Sequence, residues 1–223
     1  YLAEAVGEGG EVIGLDISPD HLTAARRLAA KRQLSGRIEF VEGDLLHLLF
    51  KDDSFDWVWC ADTLWPVHVV GDPVEAVREL ARVVKPGGTV ALVYWSSQSF
   101  LPGHPGLEAR LNAAFAATTP YLADVPPHQQ HMRALGWLRE AGLERPVARS
   151  FVAEVRAPFS PEMRESVAYC FDMFWGNLEG HLSREDWNAY RRLCNSDSDD
   201  CILNSPDYYG FLIYTLFCGR APA

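Results

Sequence analysis

The chain has 223 residues, of which 48% are hydrophobic and 22% are charged. This composition is typical of a folded globular protein and excludes a largely disordered chain. The 30 acidic residues exceed the 20 basic ones and give a formal net charge of −10, which argues against a nucleic acid or an anionic membrane as the partner.

Five cysteines occur in the chain. Their number is odd, no two form a C-x-x-C pair, and their spacing matches no common zinc pattern. We therefore expect reduced thiols, a cytoplasmic location and no metal site. The longest apolar run, at 211–218, is much shorter than the roughly 18 residues of a membrane span, so no membrane-spanning segment is predicted.

The first half of the chain alternates strand patterns with helix patterns. Short apolar runs predict four buried strands, at 12–15, 38–41, 55–61 and 89–95. Ser18 and Asp72 each precede a proline, which is the usual arrangement of an N-cap and the first helical residue. The second of these helices is expected to end before a turn at 86–88. Strands alternating with helices predict a parallel sheet covered by helices.

The second half predicts a different arrangement. Helices are expected at 105–117 and 128–141 and from Ser160 and Ser183 onward, and strands are expected at 147–156 and 210–218. The last two strands then form a pair that is interrupted by a helical insertion, which we expect to form a cap at 158–207. Because no linker of Pro, Gly or Ser separates the halves, we expect a single domain at 1–223.

Acidic residues stand where the predicted strands end, and ligands of open parallel sheets bind at the carboxyl ends of strands. Asp16 ends the first strand and Asp44 follows the second. A carboxylate at such a position can accept two hydrogen bonds from a ribose diol, although Asp16 can equally cap the helix that opens at Ser18. The third strand ends in Cys60, Ala61 and Asp62.

These segments resemble class I S-adenosylmethionine-dependent methyltransferases, and in particular the small-molecule subgroup that includes quinone-biosynthesis enzymes. The resemblance is strong over 11–95, weak over 130–157 and 208–220, and nearly absent elsewhere. Its most specific part is 82–88, with the sequence RVVKPGG. The fold it implies is α/β: a Rossmann-like, doubly wound, mostly parallel sheet with a C-terminal antiparallel strand and a helical insertion.

The resemblance also implies the cofactor, S-adenosylmethionine, and a set of residues that bind it. Asp16 corresponds to the acid that binds the ribose hydroxyls, Ile17 to the residue that packs on the adenine, and Asp44 to the residue that contacts the adenine amino group. The remaining cofactor-binding positions implied by the resemblance are Gly43, Leu45, Cys60, Ala61 and Asp62.

One part of the family pattern is missing. The family's first strand and its Gly-rich loop should lie before residue 11, whereas residues 1–10 resemble the end of a helix followed by a turn. The cluster Gly7, Gly9 and Gly10 precedes a strand, and a cofactor loop must follow one. We therefore expect a strand, a loop and most of a helix to precede Tyr1.

A nicotinamide-dependent dehydrogenase also ends its second strand in a ribose-binding acid. The residues Gly43 and Asp44, the turn at 86–88 and the C-terminal strand pair argue against that class. Two further functions stay open. One is that of a relative that binds the cofactor without catalysis, because methyl transfer often needs no dedicated catalytic group. The second is that of a methyltransferase that acts on a protein.

The acceptor is expected to be small and partly apolar, with an oxygen, nitrogen or carbon nucleophile. A base near the methyl group helps if the acceptor is a hydroxyl or an acidic carbon, and the candidates are His68 and then His104. His128 and His131, three apart on a predicted helix, are expected to face solvent or line the substrate site. Candidate acceptor-binding residues under an aromatic helical lid are Trp65, Trp95, Phe171 and Trp175. The oligomeric state is left open.

Overall fold

The computed structural model describes residues 1–65, 71–120 and 122–223. Its strands are β1 Val12–Asp16, β2 Ile38–Glu42, β3 Phe55–Ala61, β4 Val84–Ser99, β5 Glu144–Arg156 and β6 Tyr209–Arg220. Its α-helices are α1 Leu2–Ala5, α2 Pro19–Lys31, α3 Pro73–Arg82, α4 Pro105–Thr118, α5 Ala134–Glu140, α6 Pro161–Trp175 and α7 Arg184–Cys194.

The strands of the described residues form two sheets. One contains β1 and β2, which are parallel, and the other has the order β3-β4-β6-β5. In the second sheet β3 and β4 are parallel, whereas β6 runs antiparallel to both of its neighbours. This arrangement confirms the predicted α/β class with a C-terminal antiparallel strand.

Most helix starts form as their N-cap residues predict. Each cap side chain accepts a hydrogen bond from a backbone N–H in the first turn, which satisfies one of the free donors there. The four caps that make such a bond are Ser18, Asp72, Ser160 and Ser183. The insertion between β5 and β6 is helical as expected, with α6 and α7 as its main elements.

The prediction of one helix at 128–141 is wrong in its first half. Two short 3-10 helices, Pro127–Gln129 and His131–Arg133, precede α5. Gln130 between them is extended, with φ −67° and ψ 138°, so it interrupts any helical hydrogen-bond ladder. The two histidines of this segment therefore do not share one helix face.

The turn predicted at 86–88 lies inside a strand. β4 already begins at Val84, and its pairing with β3 shifts register between Phe55 and Trp57. Gly87 has φ +74°, and a Cβ on Gly88 would lie 2.8 Å from the Asp56 carbonyl oxygen. The two glycines thus form a bulge after which β4 continues. Bulges are positions at which strands commonly contain glycine.

Two groups of buried side chains form the core. The first lies among α3, β4 and α5 and includes Tyr94 and Trp137, and the second lies around α4, α6 and α7 and includes Phe171 and Trp175. The helices of the insertion therefore pack on α4, which precedes them in the chain. Arg110 of α4 donates two hydrogen bonds to the carboxylate of Asp186 on α7, at 2.9 and 2.7 Å.

Glu108 joins α4 to the end of β4. This residue is buried, with a relative exposure of 6%. Its carboxylate accepts hydrogen bonds from the Ser99 hydroxyl and from the backbone N–H groups of Phe100 and Leu101, at 3.1, 2.6 and 3.2 Å. These three donors replace the water that the buried charge has lost.

Arg82, at the end of α3, binds the segment that follows β2. Its guanidinium donates to both carboxylate oxygens of Glu79 and to the backbone carbonyls of Leu48 and Phe50. Glu79 in turn accepts from the Leu48 N–H at 2.8 Å. The planar, forked guanidinium suits several acceptors at fixed angles. Arg82 thus fixes the segment that follows β2 to α3. Because α3 packs on the other sheet, this contact anchors the β1–β2 sheet to it.

Asp62 is the first residue after β3 and connects the end of that strand to β4. It has φ +47°, the left-handed region that Asp, Asn and Gly tolerate best. Its N–H donates to the Val93 carbonyl and its carboxylate accepts from the Trp95 N–H, at 2.8 and 2.9 Å. Burial raises the pKa of Tyr214 on β6, and the negative charge of this carboxylate also contributes to that shift.

No helix among the described residues is long and apolar enough to cross a membrane.

We predict that Arg82→Lys lowers the free energy of unfolding by about 1–3 kcal/mol, because a single ammonium group cannot replace hydrogen bonds to a carboxylate and to two carbonyls. Urea denaturation measures the change. The matched control is Arg78→Lys on the same helix, where one 3.3 Å contact to the Glu140 carbonyl is affected. An equal loss in both variants contradicts a specific anchoring role for Arg82.

We predict a ranking at position 62, also measured by urea denaturation. Asp62→Asn keeps both an acceptor oxygen and tolerance of positive φ, and is the least destabilising variant. Asp62→Gly tolerates positive φ but has no acceptor oxygen. Asp62→Ala has no acceptor oxygen and does not tolerate positive φ, which adds a backbone cost of roughly 1–2 kcal/mol. If the alanine variant is as stable as the asparagine variant, the connecting role of Asp62 is disproved.

Candidate functional site

The carboxyl ends of β1 and β2 bring together the residues that the sequence predicts to bind a nucleoside. Asp16 pairs with Glu42 in the parallel register, so Asp44 follows only two residues beyond the same edge. The Gly43 N–H donates to the Asp16 carbonyl at 3.1 Å. The side chains of Asp16 and Asp44 are 40% and 46% exposed, so both carboxylates are accessible to a ligand.

Asp16 combines the two roles that the sequence left open. Its Oδ1 accepts a hydrogen bond from the Ser18 N–H at 2.8 Å, and this oxygen lies 3.4 Å from Nδ1 of His21. Within the described ranges its other oxygen, Oδ2, has no hydrogen-bond partner. One oxygen therefore stabilises the strand-to-helix turn while the other remains available to a hydroxyl group.

Ile17 lies between this carboxylate and the helix, with 69% of its side chain exposed. This exposed apolar side chain is accessible to an apolar part of a ligand. On the other strand, a Cβ at Gly43 would lie 3.0 Å from Cδ1 of Leu15, so the glycine allows close approach of the two strand ends.

Asp44 makes a similar local turn. Its Oδ1 accepts from the Leu46 N–H at 2.9 Å, and its Oδ2 lies 3.5 Å from Nδ1 of His47. Leu45 and Leu46 pack against the first core group, as does Trp65 after β3. The segments that follow β2 and β3 therefore pack on the same hydrophobic core.

The end of β3 holds Cys60, Ala61 and Asp62, as the sequence predicts. Burial raises the pKa of the Cys60 thiol to about 11, so this side chain is neutral near pH 7 and does not serve as a thiolate. Ala61 is exposed. The Asp62 carboxylate accepts a hydrogen bond from the Trp95 N–H at 2.9 Å. Burial together with this carboxylate raises the pKa of Tyr214 to about 12.

Trp65 and Trp95 both lie against Asp62. The indole N–H of Trp65 donates to the Asp62 carbonyl at 2.8 Å. Trp95 lies between the strand ends and the insertion, because its ring centre is 5.8 Å from that of Tyr214 and 5.0 Å from that of Phe174 on α6. Trp95 is thus a contact between the predicted cofactor edge and the helical cap.

Phe171 and Trp175 lie inside the helical insertion, with exposures of 1% and 0%. Their rings stack with centres 5.9 Å apart, and the Trp175 indole N–H donates to the Asn112 side-chain oxygen at 3.0 Å. In this arrangement both side chains pack the cap core. Contact of either residue with an acceptor stays a prediction.

Of the two predicted bases, the structure describes only His104. His68 lies outside the described residues. His104 is the N-cap residue of α4, where it is exposed and makes no side-chain capping bond. Its role as a base stays a prediction.

The structure adds His131 and Tyr94 to the neighbourhood of Trp65. The ring centre of His131 lies 5.1 Å from that of Trp65 and 5.2 Å from that of Tyr94. The sequence pattern indicates His131 only as one of two histidines on a helix. The prolines at 126–127 are compatible with a helix that starts after them, and the break at the extended Gln130 has no comparable signal in the sequence.

Comparison with known proteins identifies the domain. Residues 1–92 match the family described as "Methyltransferase domain". The chain is 42% identical over 103 residues to a demethylmenaquinone methyltransferase of Lysinibacillus sphaericus, which is 46% of this chain and 41% of that protein. It is 31% identical over 145 residues to the enzyme of the same name from Listeria monocytogenes, which is 65% of this chain and 57% of that protein.

The chain thus spans about half the length of these curated relatives. A solved structure with a similar fold is that of a protein from Bacillus halodurans C-125 described as a methyltransferase. The TM-score is 0.54 at 19% identity, with 96% of this chain and 84% of that chain covered; at this identity the likeness shows the fold. Residues 1–92 thus match a methyltransferase domain, and the chain as a whole is similar to demethylmenaquinone methyltransferases in sequence and to a solved methyltransferase structure in fold.

Proposed function

We propose that this protein transfers a methyl group from S-adenosylmethionine to a small, partly apolar acceptor held near Trp65 and Trp95 beneath the helical cap. The observation that carries the proposal is the pair of accessible carboxylates, Asp16 and Asp44, on one edge of two parallel strands with the exposed Ile17 beside them. This donor set suits a nucleoside, which presents a ribose diol and an apolar base.

The residues present fit the nucleoside part of the cofactor. The free Oδ2 of Asp16 can accept from a ribose hydroxyl, and a charged hydrogen bond of this kind contributes about 1.5–3 kcal/mol. The side chain of Ile17 offers an apolar surface to one face of the adenine. Asp44 can accept from an exocyclic amino group. When bound, the cofactor supplies a methyl group on a sulfonium, which is a strong electrophile.

The chain's own contribution is to hold the acceptor in line with that methyl group. Proximity and orientation alone can lower such a barrier by about 7–11 kcal/mol. The aromatic side chains near Asp62 provide flat apolar surfaces for an acceptor, and Trp95 extends that surface to the cap. A closed cap also excludes water during transfer.

We propose an aromatic diol of the quinol type as the acceptor. Two observations support this choice. The relatives named above are demethylmenaquinone methyltransferases, and beyond the end of β3 the rings of Trp65 and His131 lie with their centres 5.1 Å apart. The insertion at 158–207 has four arginines against ten acids, which opposes a polyanionic acceptor such as a nucleic acid.

The single-domain organisation at 1–223, with a cap at 158–207, is part of the proposal, and so is a further strand joining the two sheets. Among the described residues β1 pairs only with β2 and β3 pairs only with β4, so each has a free edge that accepts another strand. The cytoplasmic location expected from the cysteine pattern also remains a proposal.

We predict that Asp16→Asn weakens S-adenosylmethionine binding by at least about tenfold, equivalent to about 1.4 kcal/mol, because the ribose loses a charged acceptor. Asparagine keeps an oxygen for the Ser18 N–H, so the local turn is preserved. Isothermal titration calorimetry measures the affinity, with Asp20→Asn in the first turn of α2 as the matched control. Unchanged affinity in Asp16→Asn removes this residue from the site.

We predict that the protein methylates simple quinols in preference to amines. The measurement is transfer of a labelled methyl group from the cofactor to hydroquinones, phenols and amines of similar size. Preference for an amine contradicts the quinol assignment and leaves methyl transfer intact. Cofactor binding without transfer to any small molecule or protein instead favours a non-catalytic binding role.

A further inference from the structure

His131 occupies an unusual position for a histidine. It lies in the short 3-10 helix before α5 and packs edge-on against Trp65 and at a tilt against Tyr94. Its Nδ1 is buried and has no hydrogen-bond partner among the described residues. A buried polar atom without a partner is rare in native proteins, and such atoms often have a functional explanation.

The surroundings keep this imidazole neutral. Burial lowers the pKa of His131 from its ordinary value of 6.5, and the negative charge of Asp62 opposes part of that shift. An N–H without a partner costs more in apolar surroundings than an unused lone pair, so the tautomer with its proton on Nε2 is favoured. Nδ1 then carries a lone pair that can accept a proton.

We propose that His131 is the base that takes the proton of the methyl acceptor, within a three-ring subsite formed by Trp65, Tyr94 and His131. This inference rests on the proposed function and adds to it the group that accepts the proton. The subsite suits a flat hydroxylated ring, which can pack against an aromatic side chain while its hydroxyl reaches Nδ1.

The proposed reaction couples a proton transfer to the transfer of the methyl group. The acceptor hydroxyl gives its proton to Nδ1, and the electron pair left on the oxygen, or on a ring carbon conjugated with it, forms the new bond to the methyl carbon. The S–C bond of the sulfonium breaks with its electron pair on sulfur, which leaves as a neutral thioether. The imidazolium that forms is stabilised by the nearby carboxylate of Asp62.

The other titratable groups around this subsite are less suited to the task. Burial raises the pKa of Cys60 to about 11 and raises that of Tyr94 well above its ordinary value. The Tyr94 hydroxyl already donates to the Leu64 carbonyl at 3.2 Å. The Asp62 carboxylate already accepts a hydrogen bond from the Trp95 N–H at 2.9 Å. Of these described neighbours, only His131 combines a neutral form near pH 7 with an unused acceptor atom.

The test uses His131→Phe in the intact protein, since phenylalanine keeps a ring against Trp65 and Tyr94 but has no lone pair. With a hydroquinone acceptor we expect kcat to fall by about 10²- to 10⁴-fold, the usual contribution of a general base, while S-adenosylmethionine affinity stays within about twofold. The matched control is His128→Phe, because His128 is exposed and uses only its backbone carbonyl, which accepts from Trp137.

The pH dependence gives a second readout. The wild-type rate should fall as the pH drops through the lowered pKa of His131, because protonation removes the lone pair, and the residual rate of His131→Phe should lack this step. A variant that keeps the wild-type kcat and pH profile overturns the proposal. So does an equal loss in His128→Phe.

A measurement without turnover separates this inference from the proposed function. In protein labelled at histidine, nuclear magnetic resonance should show His131 titrating below pH 6.5, with its ring signals shifted by saturating hydroquinone and those of His128 unchanged. If these signals respond but no methyl group is transferred, the subsite stands and the proposed function fails. If transfer occurs and the His131 signals do not respond, the inference fails and the function stands.

Discussion

The guanidinium of Arg82 holds together two parts of the molecule that share no strand pairing among the described residues. The β1–β2 sheet carries the accessible carboxylates, while the other sheet carries Asp62 and the aromatic rings. The connection between them follows β2, and its carbonyls at Leu48 and Phe50 are fixed by Arg82 on α3. Because Asp44 lies in the same connection, the geometry of the proposed nucleoside site depends on a structural arginine that contacts no ligand.

Asp62 performs the corresponding task at the end of the second sheet. A residue with positive φ ends β3 sharply, and its carboxylate then binds the next strand through the Trp95 N–H. The same carboxylate acts electrostatically on His131 and Tyr214. One side chain therefore shapes the end of β3, binds the next strand and influences the protonation of the neighbouring imidazole.

The aromatic residues of the helical insertion suit more than one role. They suit both a substrate pocket and a hydrophobic core, and sequence alone cannot choose between them. Phe171 and Trp175 are almost completely buried among α4, α6 and α7, because helices inserted between two strands must cover their own apolar faces. Trp95 differs from them since it lies where the cap meets the strand ends, and it is therefore the better candidate for contact with an acceptor.

Local patterns in the sequence were enough to predict the strands, the capped helices, the α/β class and the carboxylates at the ends of β1 and β2. These features depend on side-chain periodicity, on cap residues such as Ser18 and Asp72, and on the rule that strand ends bind ligands, all of which act over a few residues. The tertiary structure alone decided which aromatic residues are core and that His131 meets Trp65 and Tyr94. Those contacts join positions far apart in the chain, and they arise from packing among α3, β4 and α5, which no local pattern encodes.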